Sequence, residues 1–311
     1  MEKKLISIVT PCYNEVENID ELCERISSTM TRLNYDYEHI FIDNASTDGS
    51  IEAIKSIAKF DKRVKLIVNV RNFGHTRSPH YAIQQTHGDA CILIASDLQD
   101  PPEIIEEFLK KWELGYKTVL AVKPESEESR VMFLIRKIYY RIISKISEVE
   151  LVENATGAGL FDKKIIDILR KIQDSNPYFR GLLCEIGFPI ALVPFRQPRR
   201  KRGITKNNFY TLFDLAMIGI TNHSKVPLRI MTLGGFFIAF VSAIVALGFF
   251  IAKVIFWDSF QIGVAPILVG VFFFGSIQML FVGILGEYIS SVYTQVRNLP
   301  LVVELERINF D

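Results

Sequence analysis

Apolar positions along the first 122 residues follow two alternating patterns. The stretches "LISIVTP", "HIFID", "VKLIVN", "ACILIAS" and "TVLAV" are short runs rich in Ile, Val and Leu. Between them, Val16–Arg32, Thr47–Phe60, Thr76–Thr86 and Pro102–Trp112 carry apolar residues at helical spacing. Strands apolar on both faces, alternating with amphipathic helices, predict an α/β fold built on a mostly parallel sheet with helices on both faces. Such sheets bind ligands beyond the carboxyl ends of their strands. The polar clusters "PCYNE", "DNASTDGS", "RNFGH" and "SDLQDPP" all fall there.

The pattern changes in the last third. Ile230 to Ala252 is almost uncharged, and Val264 to Gly286 repeats it. Each exceeds the roughly 20 apolar residues needed to cross a bilayer. Runs such as "GGFFIAFVSAIVALGFFIA" are apolar on every face, which separates them from the helices of a soluble core. Lys253, Trp257 and Asp258 sit in the short connection, so the pair reads as a transmembrane hairpin. Arg199, Arg200, Lys201, Arg202, Lys206, Lys225 and Arg229 precede it, and this bias predicts both termini and the large N-terminal part in the cytoplasm. Asn207–Ser224 places Phe209, Leu212, Phe213, Leu215, Ala216 and Ile220 at helical spacing, as an interfacial helix or, alternatively, a core helix. The expected organisation is a cytoplasmic α/β domain over 1–206, an interfacial helix over 207–226, a two-span hairpin over 227–290 and a cytoplasmic tail over 291–311.

Charge adds little. The 36 basic and 35 acidic residues balance, so nothing points to a nucleic-acid partner. Cys12, Cys23, Cys91 and Cys184 lack CxxC spacing, and the polar N-terminus resembles no signal peptide, so reduced thiols are expected. The five histidines form no metal-ligand pair. Neither GxGxxG nor GxxxxGK[ST] occurs, so a nucleotide site here must use side chains and a metal.

The candidate chemistry centres on "ILIASDLQDPPE", Ile92 to Glu103. Asp97 and Gln99 flank one residue in a turn, and a carboxylate beside an amide oxygen suits Mg²⁺ or Mn²⁺. Asp100, before Pro101 and Pro102, has the position of a helix N-cap. Asp43 ends the second strand and can accept from a base or ribose, whereas Asp48 reads as a cap. Arg71, Asn72 and Arg77 suit a diphosphate or, equally, a solvated edge.

"IVTPCYNEVENI", "IDNASTDGS", "RNFGH", "HGDACILIASDLQDPPE", "PYFRGLLCEIGF" and "RRKRGITKNNFY" occur in an order that resembles the family-2 inverting glycosyltransferases. The resemblance is narrower to the polyprenyl-phosphate sugar transferases, a group that includes dolichyl-phosphate mannose synthases and bactoprenol glucosyltransferases. It runs over essentially the whole chain. It implies a GT-A, Rossmann-like sheet domain that takes a nucleotide-sugar donor, UDP-glucose by default, and passes the sugar to a polyprenyl phosphate at the inner membrane. By position, Pro11, Tyr13, Glu15, Asp43, Asn72 and Asp97 would hold the donor, and Asp97 and Gln99 the divalent cation. Arg200 and Lys206, in "RKRGITK", would join Asp97 as catalytic groups by meeting phosphates, and Arg130 and Arg136 would hold the acceptor phosphate. Two departures stand out: Ala95 and Asn44 occupy places where the family often has acids. "NATGAGLFDKK" replaces a more polar stretch, leaving Asp162 as a weaker acidic candidate.

A phosphate acceptor is anionic near neutral pH, so a single displacement with inversion needs positioning and charge neutralisation more than a general base. A processive polysaccharide synthase is disfavoured by the missing QxxRW motif and by only two spans. A non-catalytic membrane scaffold, suggested by Ala95 and Asn44, is disfavoured by Asp97, Gln99, Asp43 and the basic loop. Small residues in the spans (Gly234, Gly235, Gly270, Gly283, Gly286) permit close helix packing and a homo-oligomer.

Overall fold

A computed structural model describes residues 3–123, 152, 154–196, 217, 221, 224–256 and 264–310. The first strands and helices follow the hydrophobic pattern. They are β1 (Leu5–Cys12), α1 (Val16–Leu33), β2 (Asp36–Asp43), α2 (Ser50–Phe60), β3 (Val64–Asn69), α3 (Gly74–Gln84) and β4 (Ala90–Leu93). A 3₁₀ turn (Pro102–Ile104) leads into α4 (Ile105–Glu113), followed by β5 (Thr118–Val122). Three further strands and two short helices carry little periodic signal: β6 (Ala155–Asp162), α5 (Lys163–Leu169), α6 (Phe179–Ile186), β7 (Ile190–Pro194) and, near the chain end, β8 (Glu304–Ile308).

The strands form one eight-stranded sheet in the order β7-β5-β6-β4-β1-β2-β3-β8. β4, β1, β2 and β3 are mutually parallel, whereas β6 and β8 run antiparallel to their neighbours. Each face carries its own apolar layer. Ile6, Ile8, Phe41 and Ile92 pack against α1, α2 and α4, and Val9, Ile42, Ile67 and Phe161 against α3, α5 and α6. Burial on both faces explains why these strands read as continuous apolar runs. β6 is an exception, because its close approach to β5 requires glycine: a Cβ on Gly159 would lie 2.6 Å from the Val119 carbonyl oxygen.

The chain leaves β1 toward β2 and β3 on one side and reaches β4 on the other. The strand order therefore reverses at β1, and the crevice between the ends of β1 and β4 is the switch point where such sheets bind ligands.

Two long apolar helices follow, α7 (Val226–Ile255) and α8 (Val264–Val296). Their apolar windows have mean hydropathies of 2.5 and 2.0 and none of either is buried by the protein. Phe236, Phe240, Phe250, Phe272 and Leu280 are exposed along them. At 1.5 Å per residue, α7 is about 45 Å long, enough to cross a bilayer. Residues 304–308, expected in a tail, return instead to the sheet as β8. There Tyr81 Oη donates to Glu304 (2.8 Å), Lys55 pairs with Glu306 (2.5 Å), and the Asn309 amide donates to the carbonyls of Ala58 and Val64 (both 2.8 Å).

Candidate active site

β4 stops at Leu93, and the chain turns sharply five residues later at Leu98, whose φ is +57°. A left-handed leucine costs roughly 1–2 kcal/mol, which is offset because its side chain is buried in the core. Around it, Ser96, Leu98 and Asp100 are buried, whereas Asp97 and Gln99 are partly exposed. Anchoring the intervening leucine inward thus presents the two candidate ligands together, and the Gln99 N–H donates to Asp97 Oδ1 at 3.1 Å to hold the turn.

Asp100 is not the helix cap that its sequence position suggested. The residue before the 3₁₀ turn is Pro101, and no side chain caps that turn. Proline at 101 and 102 removes two of the N–H groups there, leaving only that of Glu103 within reach of a capping carboxylate. Asp100 is instead 5% exposed, and its Oδ1 has no hydrogen-bond partner. Burial and then the Asp97 charge push its carboxyl up to about 6, while the Thr156 hydroxyl on β6, Arg180 on α6 and Lys123 after β5 act in the opposite sense.

The turns after β1 and β2 are stitched to each other. Asn14 (φ +56°) donates its N–H to Ser46 Oγ (2.8 Å), and its side-chain oxygen accepts from the Thr47 N–H (2.8 Å). The Glu15 N–H donates to Ser50 Oγ (3.0 Å), and Glu15 Oε2 accepts from Asn18 (2.7 Å). Asp43 is fully buried and accepts from the N–H and hydroxyl of Ser46 (2.8 and 2.5 Å), with burial raising its carboxyl above the usual range. Asp48 does act as a cap, and of two helices: it accepts from the Val16 N–H at the start of α1 and from the N–H and hydroxyl of Ser50 at the start of α2. Pro11 and Tyr13 are partly exposed on the same edge.

Asn44 has a structural reason to be an amide. Its Oδ1 accepts from Asn69 Nδ2 (2.9 Å) and the Phe73 N–H (3.3 Å), and its Nδ2 donates to the Gly74 carbonyl (3.3 Å). An aspartate could not make the last bond. Asn72 spends its side-chain oxygen on the Gly74 N–H (2.8 Å) at the start of α3, and the Arg71 guanidinium stacks on Phe73 at 4.0 Å. Just beyond, His75 has an exposed edge, yet its protein surroundings and Arg180 hold its imidazole below the ordinary value.

Asp97, Gln99, Asp43, Pro11, Tyr13, Glu15 and Asn72 therefore share the carboxyl edge of the sheet. Asp162 does not: it pairs across the sheet with Ala90, at the start of β4, and binds Trp112 Nε1 (2.8 Å), Lys117 (2.9 Å) and the Lys164 N–H. Those three donors make it a structural anchor. Arg130, Arg136, Arg200, Lys206 and the expected interfacial helix lie outside the described residues. Thr156 and Arg180 were not legible as neighbours of Asp100, because they come from a later strand and helix that lack a periodic signal.

The chain matches the family model described as glycosyl transferase family 2 over residues 7–169. It is 33% identical over 300 residues to a putative glycosyltransferase, CsbB, of Bacillus subtilis (strain 168), covering 96% of this chain and 91% of that one. It is 31% identical over 296 residues to the SfII prophage-derived bactoprenol glucosyl transferase of Shigella flexneri, covering 95% and 96%. Among solved structures, glucosyl-3-phosphoglycerate synthase of Mycobacterium tuberculosis, in complex with Mn²⁺, UDP and phosphoglyceric acid, superposes with a TM-score of 0.50 at 21% identity, covering 70% of this chain and 76% of that one. This chain belongs to glycosyl transferase family 2. It is a glycosyltransferase with a GT-A fold carrying two apolar C-terminal helices.

Proposed function

We propose that this enzyme transfers a hexose, in the first instance glucose from UDP-glucose, to a polyprenyl phosphate such as undecaprenyl phosphate. The catalytic domain works at the cytoplasmic face of the inner membrane, with the hairpin spanning it and the protein free to form a homo-oligomer. The observation that carries this reading is the end-to-end similarity to bactoprenol glucosyl transferases in a chain that joins a GT-A domain to two bilayer-length helices.

The donor lies in the crevice between β1 and β4, its nucleoside against Pro11, Tyr13, Glu15 and Asp43. The donor set fits a hard divalent cation, because Asp97 and Gln99 offer oxygen and a second buried carboxylate oxygen beside them is unpaired. Mg²⁺ or Mn²⁺, when bound, supplies positive charge to the donor diphosphate. Asp97 and Gln99 orient that diphosphate, and Arg200 and Lys206 add charge to the leaving group. Arg130 and Arg136 hold the acceptor phosphate, whose oxygen attacks the anomeric carbon as the bond to the diphosphate breaks, with inversion. The acceptor oxygen is already anionic, so no side chain has to remove a proton. An interfacial helix over 207–226 keeps this site at headgroup level.

Membranes containing the full chain, given labelled UDP-glucose and undecaprenyl phosphate, are expected to move label into the organic phase. The transfer should require Mg²⁺ or Mn²⁺ and be lost in Asp97→Asn. A labelled lipid from a different nucleotide-sugar would correct the donor. No labelled lipid from any of a panel of nucleotide-sugars would overturn the proposal.

A further inference from the structure

Asp100 lies one residue beyond Gln99 with an unpartnered carboxylate oxygen in a 5% exposed position, next to a second carboxylate. Native structures rarely leave a buried charged acceptor unpaired, because the loss of hydration is uncompensated. Its other interactions leave that oxygen unused. The Thr156 hydroxyl accepts from the Ala158 N–H (3.2 Å), so its own proton is available for Asp100. Arg180 and Lys123 act on the carboxyl only electrostatically.

A second deficit lies in the same turn. Ala95 offers no ligand, and among the described residues no three His, Cys, Asp or Glu side chains come together as a metal site. Asp97 and Gln99 alone give two protein oxygens, few for a cation that takes six.

Taking the site as proposed above, we infer that Asp100 is its second acid: the unpaired oxygen of Asp100, with Asp97 and Gln99, holds the divalent cation, in place of the acid absent at Ala95. The donor diphosphate completes the ligand set, so cation and donor bind interdependently.

The test uses the full-length protein in detergent and measures Mn²⁺ binding, with and without UDP, by calorimetry and by the paramagnetic signal of free Mn²⁺. Asp100→Asn keeps an oxygen for the Thr156 hydroxyl and puts an NH₂ group, which cannot ligate a cation, in place of the unpaired oxygen. It should weaken Mn²⁺ binding in the presence of UDP by about 10- to 100-fold, the range seen when groups supporting a metal are removed. Asp100→Ser is the second variant should the amide fail to fold, with the same loss of Mn²⁺ binding expected. Loss of binding in Asp97→Asn but unchanged binding in the Asp100 variants would overturn the role of Asp100 and leave the site standing. Unchanged binding in both would overturn the site itself.

Discussion

The side-chain amide of Gln295, one residue from the end of α8, donates to Asp174 Oδ1 at 2.5 Å, while its oxygen accepts from the Ser175 N–H at 3.3 Å. This two-point clamp ties the foot of the second apolar helix to the segment leading into α6, the helix that carries Arg180. A further bond, from Tyr288 Oη to the Ser224 carbonyl (2.7 Å), holds α8 to the entry of α7. The segment that leads into α6 is thereby linked to the two apolar helices.

Gln295→Ala should loosen that link without unfolding the sheet. A hydrogen bond to a charged group contributes on the order of 1.5–3 kcal/mol, so the Ser175 amide should exchange with solvent faster in hydrogen-exchange mass spectrometry. Transfer to a lipid acceptor should fall several-fold. Unchanged exchange at Ser175 would mean that the clamp carries no energy.

Gly159 and Gly157 lie on the same strand and should behave oppositely. Gly159→Ala forces a Cβ against the Val119 carbonyl and should cost on the order of 1–3 kcal/mol. Gly157→Ala meets nothing within 4 Å and should stay within about 0.5 kcal/mol of the parent. Thermal midpoints of the two variants decide this. Equal midpoints would refute the close β5–β6 approach.

Asn44→Asp, which restores an acid common in the family, should destabilise the protein by roughly 1–3 kcal/mol and leave Mn²⁺ affinity unimproved. The carboxylate loses the bond to the Gly74 carbonyl and is buried beside Asp43. Tighter Mn²⁺ binding in this variant would show that position 44 reaches the cation.

Acid sensitivity should come partly from His39. It is fully buried, its Nε2 is 2.9 Å from Thr10 Oγ1, and burial lowers its imidazole to about 3. The unfolded chain therefore binds a proton that the folded one refuses between the ordinary histidine value, about 6.5, and about 3. Stability from this group is complete above that upper value and falls as pH drops through the window, by up to about 1.4 kcal/mol per unit. His80, lowered by burial to about 4, acts in the same direction. His39→Gln should flatten the acid limb of a stability–pH profile, and an unchanged limb would assign it elsewhere.

Much of this was readable from the chain. β1 to β5 and α1 to α4 announce themselves because strands buried on both faces and helices buried on one leave periodic apolar patterns. The pair of long C-terminal helices is legible because they are apolar on every side. β6 left no such trace: its contact with β5 selects glycine, which weakens strand propensity. β8 is hidden for a different reason. "ELERI" is an edge strand held mainly by polar pairs, so its residues resemble a solvated tail.

The sequence by itself determined the class of fold, the pair of long apolar helices and the sheet edge that carries the polar turns, since each is encoded in local periodicity or local turn chemistry. It placed Asp97 and Gln99 together because they are two residues apart. Only the tertiary structure decided what Asp100, Asn44 and Asp162 do. Their roles depend on partners from other strands: Thr156 for the first, Asn69 for the second, Trp112 and Lys117 for the third. An aspartate's chemistry is set by what remains unpaired around it after the chain has closed, and no spacing along the chain records that.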